Sequence, residues 1–139
     1  MSITAQYAPE LQLATEAALA AGALLLQGAK TLTPDKIAFK SAIDLVTQYD
    51  KESEELILSV LQKSGISVLA EESHTEPLIN NTQWIVDPLD GTTNFAHSFP
   101  HYSISIALQI DGIVVLGLVF NPCTNELFSA QKGQQIFRG

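Results

Sequence analysis

The residues able to do chemistry are concentrated in WIVDPLDGTTNF, Trp84 to Phe95. Asp87 and Asp90 stand three apart around Pro88, and Gly91-Thr92-Thr93-Asn94 follows at once. Proline biases the preceding Asp87 towards an extended backbone, placing it at the very end of its strand. Gly91 permits a positive φ and hence a sharp turn. The two carboxylates can then face one side, with the Leu89 carbonyl between them. That is a hard-oxygen set suited to Mg²⁺, which takes octahedral oxygen ligands and retains several waters. Thr92, Thr93 and Asn94 suit a helix start, where unbonded N–H groups and the helix dipole favour an anion. Cation ligands and a phosphate cradle are then neighbours. The same pentapeptide also reads as an ordinary Pro-x-Asp-Gly turn before an N-cap, which is common.

A second acidic cluster bears on that choice. Glu71-Glu72-Ser73 follows the apolar run ISVLA, so it also falls at a strand end. Adjacent strands would bring both groups to one sheet edge, where like charges repel unless a cation joins them. Glu72 by itself reads as part of a solvated loop. His74, His97 and His101 have no ligand spacing and read as polar or packing residues. DKESEE, Asp50 to Glu55, reads as a solvated helix face.

The elements that must position these groups follow from periodicity. Leu11, Ala14, Ala18, Ala21 and Leu25 recur at helical spacing across Ala8–Ala29, with Pro9 in the first turn. Pro34 breaks that pattern. In DLVTQYDKESEELILSVLQKSG, Thr47 and Asp50 resemble a capping box, so the spacing predicts a helix starting there. Ser53, Leu56, Ile57, Val60 and Leu61 form a helical stripe, and Gly65 is its stop. Ile66–Ala70 and Trp84–Asp87 read as short strands. Ser103–Ile110, the Asp111-Gly112 turn and Ile113–Phe120 read as a hairpin, and Glu126–Ala130 as the next strand. The expectation is an α+β fold, two N-terminal helices packed on a largely antiparallel sheet, in one domain over residues 1–139. GQQIFRG begins another strand and stops; a sheet cut there would expose an edge, so the chain reads as part of a larger protein.

Composition narrows the classes. The chain has 139 residues, 46% hydrophobic and 16% charged, as expected of a globular domain with its own core. The near-apolar run Ala17–Leu26 is too short to span a bilayer, and a secretory signal is not expected upstream of it. One cysteine, Cys123, excludes an internal disulfide, reads as an ordinary thiol and points to a reducing cytoplasm. With seven basic residues and a net charge of −8, a nucleic-acid face is not expected. An acidic protein handling an anionic substrate needs something positive between the two, and a divalent cation is the natural bridge.

From about Lys40 onward, KSAIDLVTQYD, AEES, WIVDPLDGTTNFAHSFP and NPCTNELFSAQKG occur in the order and spacing of the N-terminal half of the inositol monophosphatase family. The chain resembles these Mg²⁺-dependent, lithium-sensitive phosphatases, whose fold is a layered α/β/α/β/α sandwich. Asp-Pro-x-Asp-Gly-Thr is specific to the superfamily, and Thr93-Asn94-Phe95 with His97 and Phe99-Pro100 leans to the inositol phosphate branch. Gln135-Ile136-Phe137 departs from the family's usual Gly-Ala-Phe.

The resemblance implies that Glu71, Asp87, Asp90 and the Leu89 carbonyl hold metal, and that Thr92 with Asp50 behind it activates water. It gives the phosphate to donors from Gly91, Thr92 and Thr93, with Lys40 and Asp44 accessory. It implies hydrolysis of a phosphate monoester, inositol 1-phosphate first, by two-metal activation of water, and a homodimer. Fructose 1,6-bisphosphate, histidinol phosphate and a 3′-phosphonucleotide are the other substrates it allows; a noncatalytic fragment that binds Mg²⁺ weakly is the competing class. The family's second half contributes a further aspartate ligand and most contacts to the substrate's hydroxyls.

Overall fold

The computed structural model describes residues 6–30, 39–70, 81–97, 99–133 and 137–138. Two long helices, α1 (Ala8–Ala29) and α2 (Phe39–Leu61), pack on one face of a sheet. The strands are β1 (Ser67–Ala70), β2 (Thr82–Asp90), β3 (Ser103–Ile110), β4 (Ile113–Asn121), β5 (Glu126–Gln131) and β6 (Phe137–Arg138). A short helix α3 (Thr92–Ala96) joins β2 to β3. The sheet is six-stranded in the order β1-β2-β3-β4-β5-β6. Only β1 with β2 is parallel among these pairs; the rest is an antiparallel meander, so the α+β expectation holds.

Strand alternation divides the sheet into two faces. Trp84 and Val86, Ile104, Ile106 and Leu108, and Leu116, Leu118 and Phe120 turn towards the helices and are buried. Burying each such side chain contributes about 1.5–3 kcal/mol. The helices meet this layer with Ala14, Ala17, Ala18, Ala21 and Leu25 from α1 and Ile57 and Leu61 from α2. Small side chains on α1 let the backbones come close. At Gly28 a Cβ would sit 2.6 Å from the Tyr49 ring, so the glycine is what admits that ring between the helices. Ser64, in the single 3₁₀ turn Gln62–Ser64 after α2, accepts the Trp84 indole N–H at 2.9 Å and ties that end of α2 to β2.

The opposite face is open. Ile85, Asp87, Ser105, Ala107, Gly117, Val119, Phe128 and Ala130 line a groove of about 610 Å³ along it. Leu69, Val119 and Phe128 are 38–41% exposed there, so the face is apolar and, among the described residues, uncovered.

Three expectations change. α2 starts at Phe39, which puts Thr47 and Asp50 inside the helix rather than at its cap. Ser/Thr-x-x-acid is a capping signal only where the preceding residues are not helical, and Phe39, Ile43 and Val46 already carry the helical spacing. β2 does not end at Asp87: it runs on to Asp90 through a register shift between the two aspartates. A proline removes one donor, and a bulge leaves that position outside the ladder in any case. Finally, the apolar run Ala17–Leu26 belongs to a 22-residue helix with an 18-residue window of mean hydropathy 1.2, long and apolar enough by length and composition to cross a membrane. Here its Ala14–Leu25 stripe is packed on the sheet.

Candidate active site

The site is built on the bulge at the end of β2. Asp87 pairs with Ser105 and Asp90 with Ser103, so Pro88 and Leu89 together oppose Ile104 alone. The turn's backbone groups find partners inside the protein. Pro88 has no N–H; its carbonyl accepts the Ser53 hydroxyl of α2 at 2.8 Å, and the Leu89 N–H donates to Asp87 Oδ1 at 3.3 Å. Pro88 and Leu89 are buried. Asp87 is half-buried at the end of the open-face groove, whereas Asp90 is exposed beside Gly91.

Gly91 turns the chain into α3 with φ 92°, a left-handed conformation. A Cβ there would lie 3.1 Å from the His101 carbonyl and 3.3 Å from Tyr102 Cα, so a side chain has neither the backbone conformation nor the room. The first bond of α3 runs from the Phe95 N–H to the Gly91 carbonyl at 3.0 Å. The N–H groups of Thr92 and Thr93 precede it, at the end of the helix that carries partial positive charge. Both threonines are exposed.

Phe95 holds α3 in place. It is fully buried, with Tyr102 edge-on at 5.0 Å between ring centroids and Tyr49 tilted at 6.1 Å. On the other side of α3, Asn94 Nδ2 donates to the His101 carbonyl at 2.8 Å. His97 Nδ1 lies 2.7 Å from the Thr93 carbonyl, and His101 is exposed. Asp90, Gly91, Asn94, His101, Tyr102, Ser103 and Asn121 line a cleft of about 210 Å³. The Tyr102 phenol, buried and bonded to the Cys123 side chain, is pushed well above the usual tyrosine range, chiefly by burial.

Asp50 belongs to the helix that packs on this turn. Tyr49 touches Phe95, and Ser53 bonds Pro88, so the face of α2 that carries them looks onto the β2–α3 turn. Asp50 is three residues before Ser53, on that same face. β1 lies beside β2 in parallel, with Leu69 opposite Ile85 and Ala70 opposite Val86. The next residue of each strand is a carboxylate in sequence, Glu71 and Asp87. Glu71 and Glu72 lie outside the described residues, as does His74, and so do the side chains of Lys40 and Asp44. Among the described residues no three His, Cys, Asp or Glu side chains gather as a metal cluster. The donors present there are nonetheless of the right kind: the Asp87 and Asp90 carboxylates flank a turn in which the Pro88 carbonyl and the Leu89 N–H are already engaged.

Sequence reasoning missed Ser53 as a site residue, reading it as one member of a helical stripe. The signal was available: a hydroxyl in an otherwise apolar stripe needs a partner.

The sequence profile of the inositol monophosphatase family matches residues 6–139. The chain belongs to the inositol monophosphatase family. Among its relatives, Nus factor SuhB of Pasteurella multocida is 41% identical over 129 residues, covering 91% of this chain and 48% of the relative. Inositol-1-monophosphatase of Caulobacter vibrioides is 41% identical over 128 residues, covering 89% and 50%. The crystal structure of extragenic suppressor protein suhB from Bartonella henselae superposes with a TM-score of 0.80 at 34% identity, over 94% of this chain and 51% of that one. The chain thus spans about half the length of the relatives it matches, and its fold is the N-terminal half of the inositol monophosphatase fold.

Proposed function

We propose that this chain carries the cation- and phosphate-binding half of a Mg²⁺-dependent phosphate monoester hydrolase, with inositol 1-phosphate as substrate. The observation that carries the reading is the bulge-turn-helix unit of Asp87 to Ala96 in a member of this family. Asp87, Asp90, the Leu89 carbonyl and Glu71 would hold the cation. Bound Mg²⁺ supplies charge neutralisation for the phosphoryl oxygens and acidifies water. The N–H groups of Gly91, Thr92 and Thr93 bind and orient the phosphate at the start of α3. The Thr92 hydroxyl, backed by Asp50 across the α2–α3 contact, places the attacking water in line with the ester oxygen. Water attacks phosphorus, the P–O bond to the alcohol breaks and the leaving oxygen takes a proton. Positioning and charge stabilisation carry most of such a reaction. The cytoplasm and a homodimer belong to the same proposal.

A second reading has its own observation: the groove that reaches Asp87 is uncovered by the described residues. It is a Mg²⁺-binding chain without turnover. Phosphate release from inositol 1-phosphate by these 139 residues, with and without Mg²⁺ and beside Asp87→Asn, separates the two. Release that needs both Mg²⁺ and Asp87 supports hydrolysis. Mg²⁺-dependent thermal stabilisation without release supports the binding reading. Fructose 1,6-bisphosphate, histidinol phosphate and a 3′-phosphonucleotide in the same assay test the choice of alcohol.

A further inference from the structure

The geometry points to Ser53 as a positioning residue that sets Asp87 and Asp90 for Mg²⁺ through its hydrogen bond to the Pro88 carbonyl. The inference rests on the metal reading of that turn, and it begins from an oddity of α2. In the stripe Ser53, Ile57, Leu61 a hydroxyl occupies a fully buried position among aliphatic side chains. Burying a hydroxyl without a partner is costly, so its hydrogen bond decides what the position can hold. The partner is not the helix's own backbone, as it is for Ser59 with Leu56 and Ser64 with Leu61. Ser53 instead donates across 35 residues of sequence, to Pro88, at 2.8 Å.

Pro88 sits where the ladder gives no support. The register shift takes it and Leu89 out of pairing with β3, so sheet hydrogen bonds do not fix the peptide planes between the two aspartates. Proline holds its own φ but leaves ψ, and with it the direction of its carbonyl, to the surroundings. The Ser53 bond fixes that carbonyl. The Leu89 N–H is turned to Asp87 Oδ1 by the same peptide plane, so one buried hydroxyl sets both the Asp87 carboxylate and the course of the chain to Asp90. The Leu89 carbonyl is the backbone oxygen that the family reading gives to the cation.

The test compares Ser53→Ala, Ser53→Thr and Ser53→Val, measuring Mg²⁺ affinity by titration calorimetry on the 139-residue chain. Thr and Val are nearly equal in shape, so their difference isolates the hydroxyl from any crowding in the core. Loss of a group that orients a metal ligand typically weakens binding about 10–100-fold. The expected result is a loss of at least about 10-fold for Ala and for Val, with Thr binding at least several-fold tighter than Val. In the metal-free protein, amide resonances of Leu89, Asp90 and Gly91 shift in the Ala variant while those of Asp111 and Gly112 stay in place. Equal affinities for Val and Thr, with Asp87→Asn still abolishing binding, would overturn the role of Ser53 alone. No binding by the unaltered chain would overturn it together with the metal reading.

Discussion

The chain contains two Asp-Gly turns in one sheet, and their surroundings differ in every respect that matters. Asp111-Gly112 closes the β3–β4 hairpin with φ of 52° and 78°, both left-handed, as a two-residue hairpin turn requires. Asn81 donates to the Asp111 carboxylate at 3.1 Å, and a Cβ at Gly112 would meet nothing within 4 Å. Asp90-Gly91 instead ends a bulged strand, begins a helix and lies under the backbone of His101 and Tyr102. A buried hydroxyl from another element holds the turn. The same dipeptide is a connector at one place and the frame of a candidate site at the other. The difference lies in what packs on it, since a hairpin turn needs only its own two residues.

The widest separation is expected for the carboxylates themselves. Asp87→Asn should abolish Mg²⁺ binding and any phosphate release while leaving the thermal transition nearly unchanged. Asp111→Asn should leave both intact, and unchanged calorimetric Mg²⁺ affinity in Asp87→Asn would remove the contrast. The glycines come next. Gly91→Ala should cost about 2–3 kcal/mol in urea denaturation, because an alanine is strained at that φ and also meets the His101 carbonyl. Gly112→Ala carries only the conformational cost, about 1 kcal/mol. Equal losses would mean that the backbone above Gly91 yields.

A pH titration sharpens the comparison from the Tyr102 side of the Gly91 turn. The phenol's folded-state pKa is raised by burial and by Cys123, so the folded protein favours the neutral form. The stability this contributes is fully present below the ordinary tyrosine pKa of about 10. It is lost as pH rises from there towards the folded-state value. Ultraviolet titration should show a late tyrosine ionisation, and Tyr102→Phe should remove that step. The smallest effect belongs to the hairpin: Asp111→Asn should change stability by no more than about 0.5 kcal/mol, as asparagine also tolerates the left-handed region.

How far the sequence could be read depended on the range of the forces involved. The meander from β3 to β5 and helix α1 were legible almost to the residue, because alternation, helical spacing and Asp111-Gly112 are local signals. The Asp-Pro-x-Asp-Gly-Thr run marked the candidate site and the family. Two boundaries misled because a local signal was read without its context. Thr47 has the chemistry of a cap and Pro88 that of a strand end, yet each stands inside its element. Packing between elements outweighs such weak local preferences.

The sequence by itself determined which residue types stand together at the site, since Asp87, Asp90, Gly91 and Thr92 are neighbours in the chain. Only the tertiary structure decided that Ser53 bonds to this turn, and that among the described residues one face of the sheet is packed and the other open. The helical spacing can mark Ser53 as a hydroxyl in need of a partner, but nothing in periodicity names Pro88 as that partner. The bond exists because α2 crosses β2 where a bulge has freed a carbonyl, and a buried carbonyl without a donor is too costly for a folded core to keep.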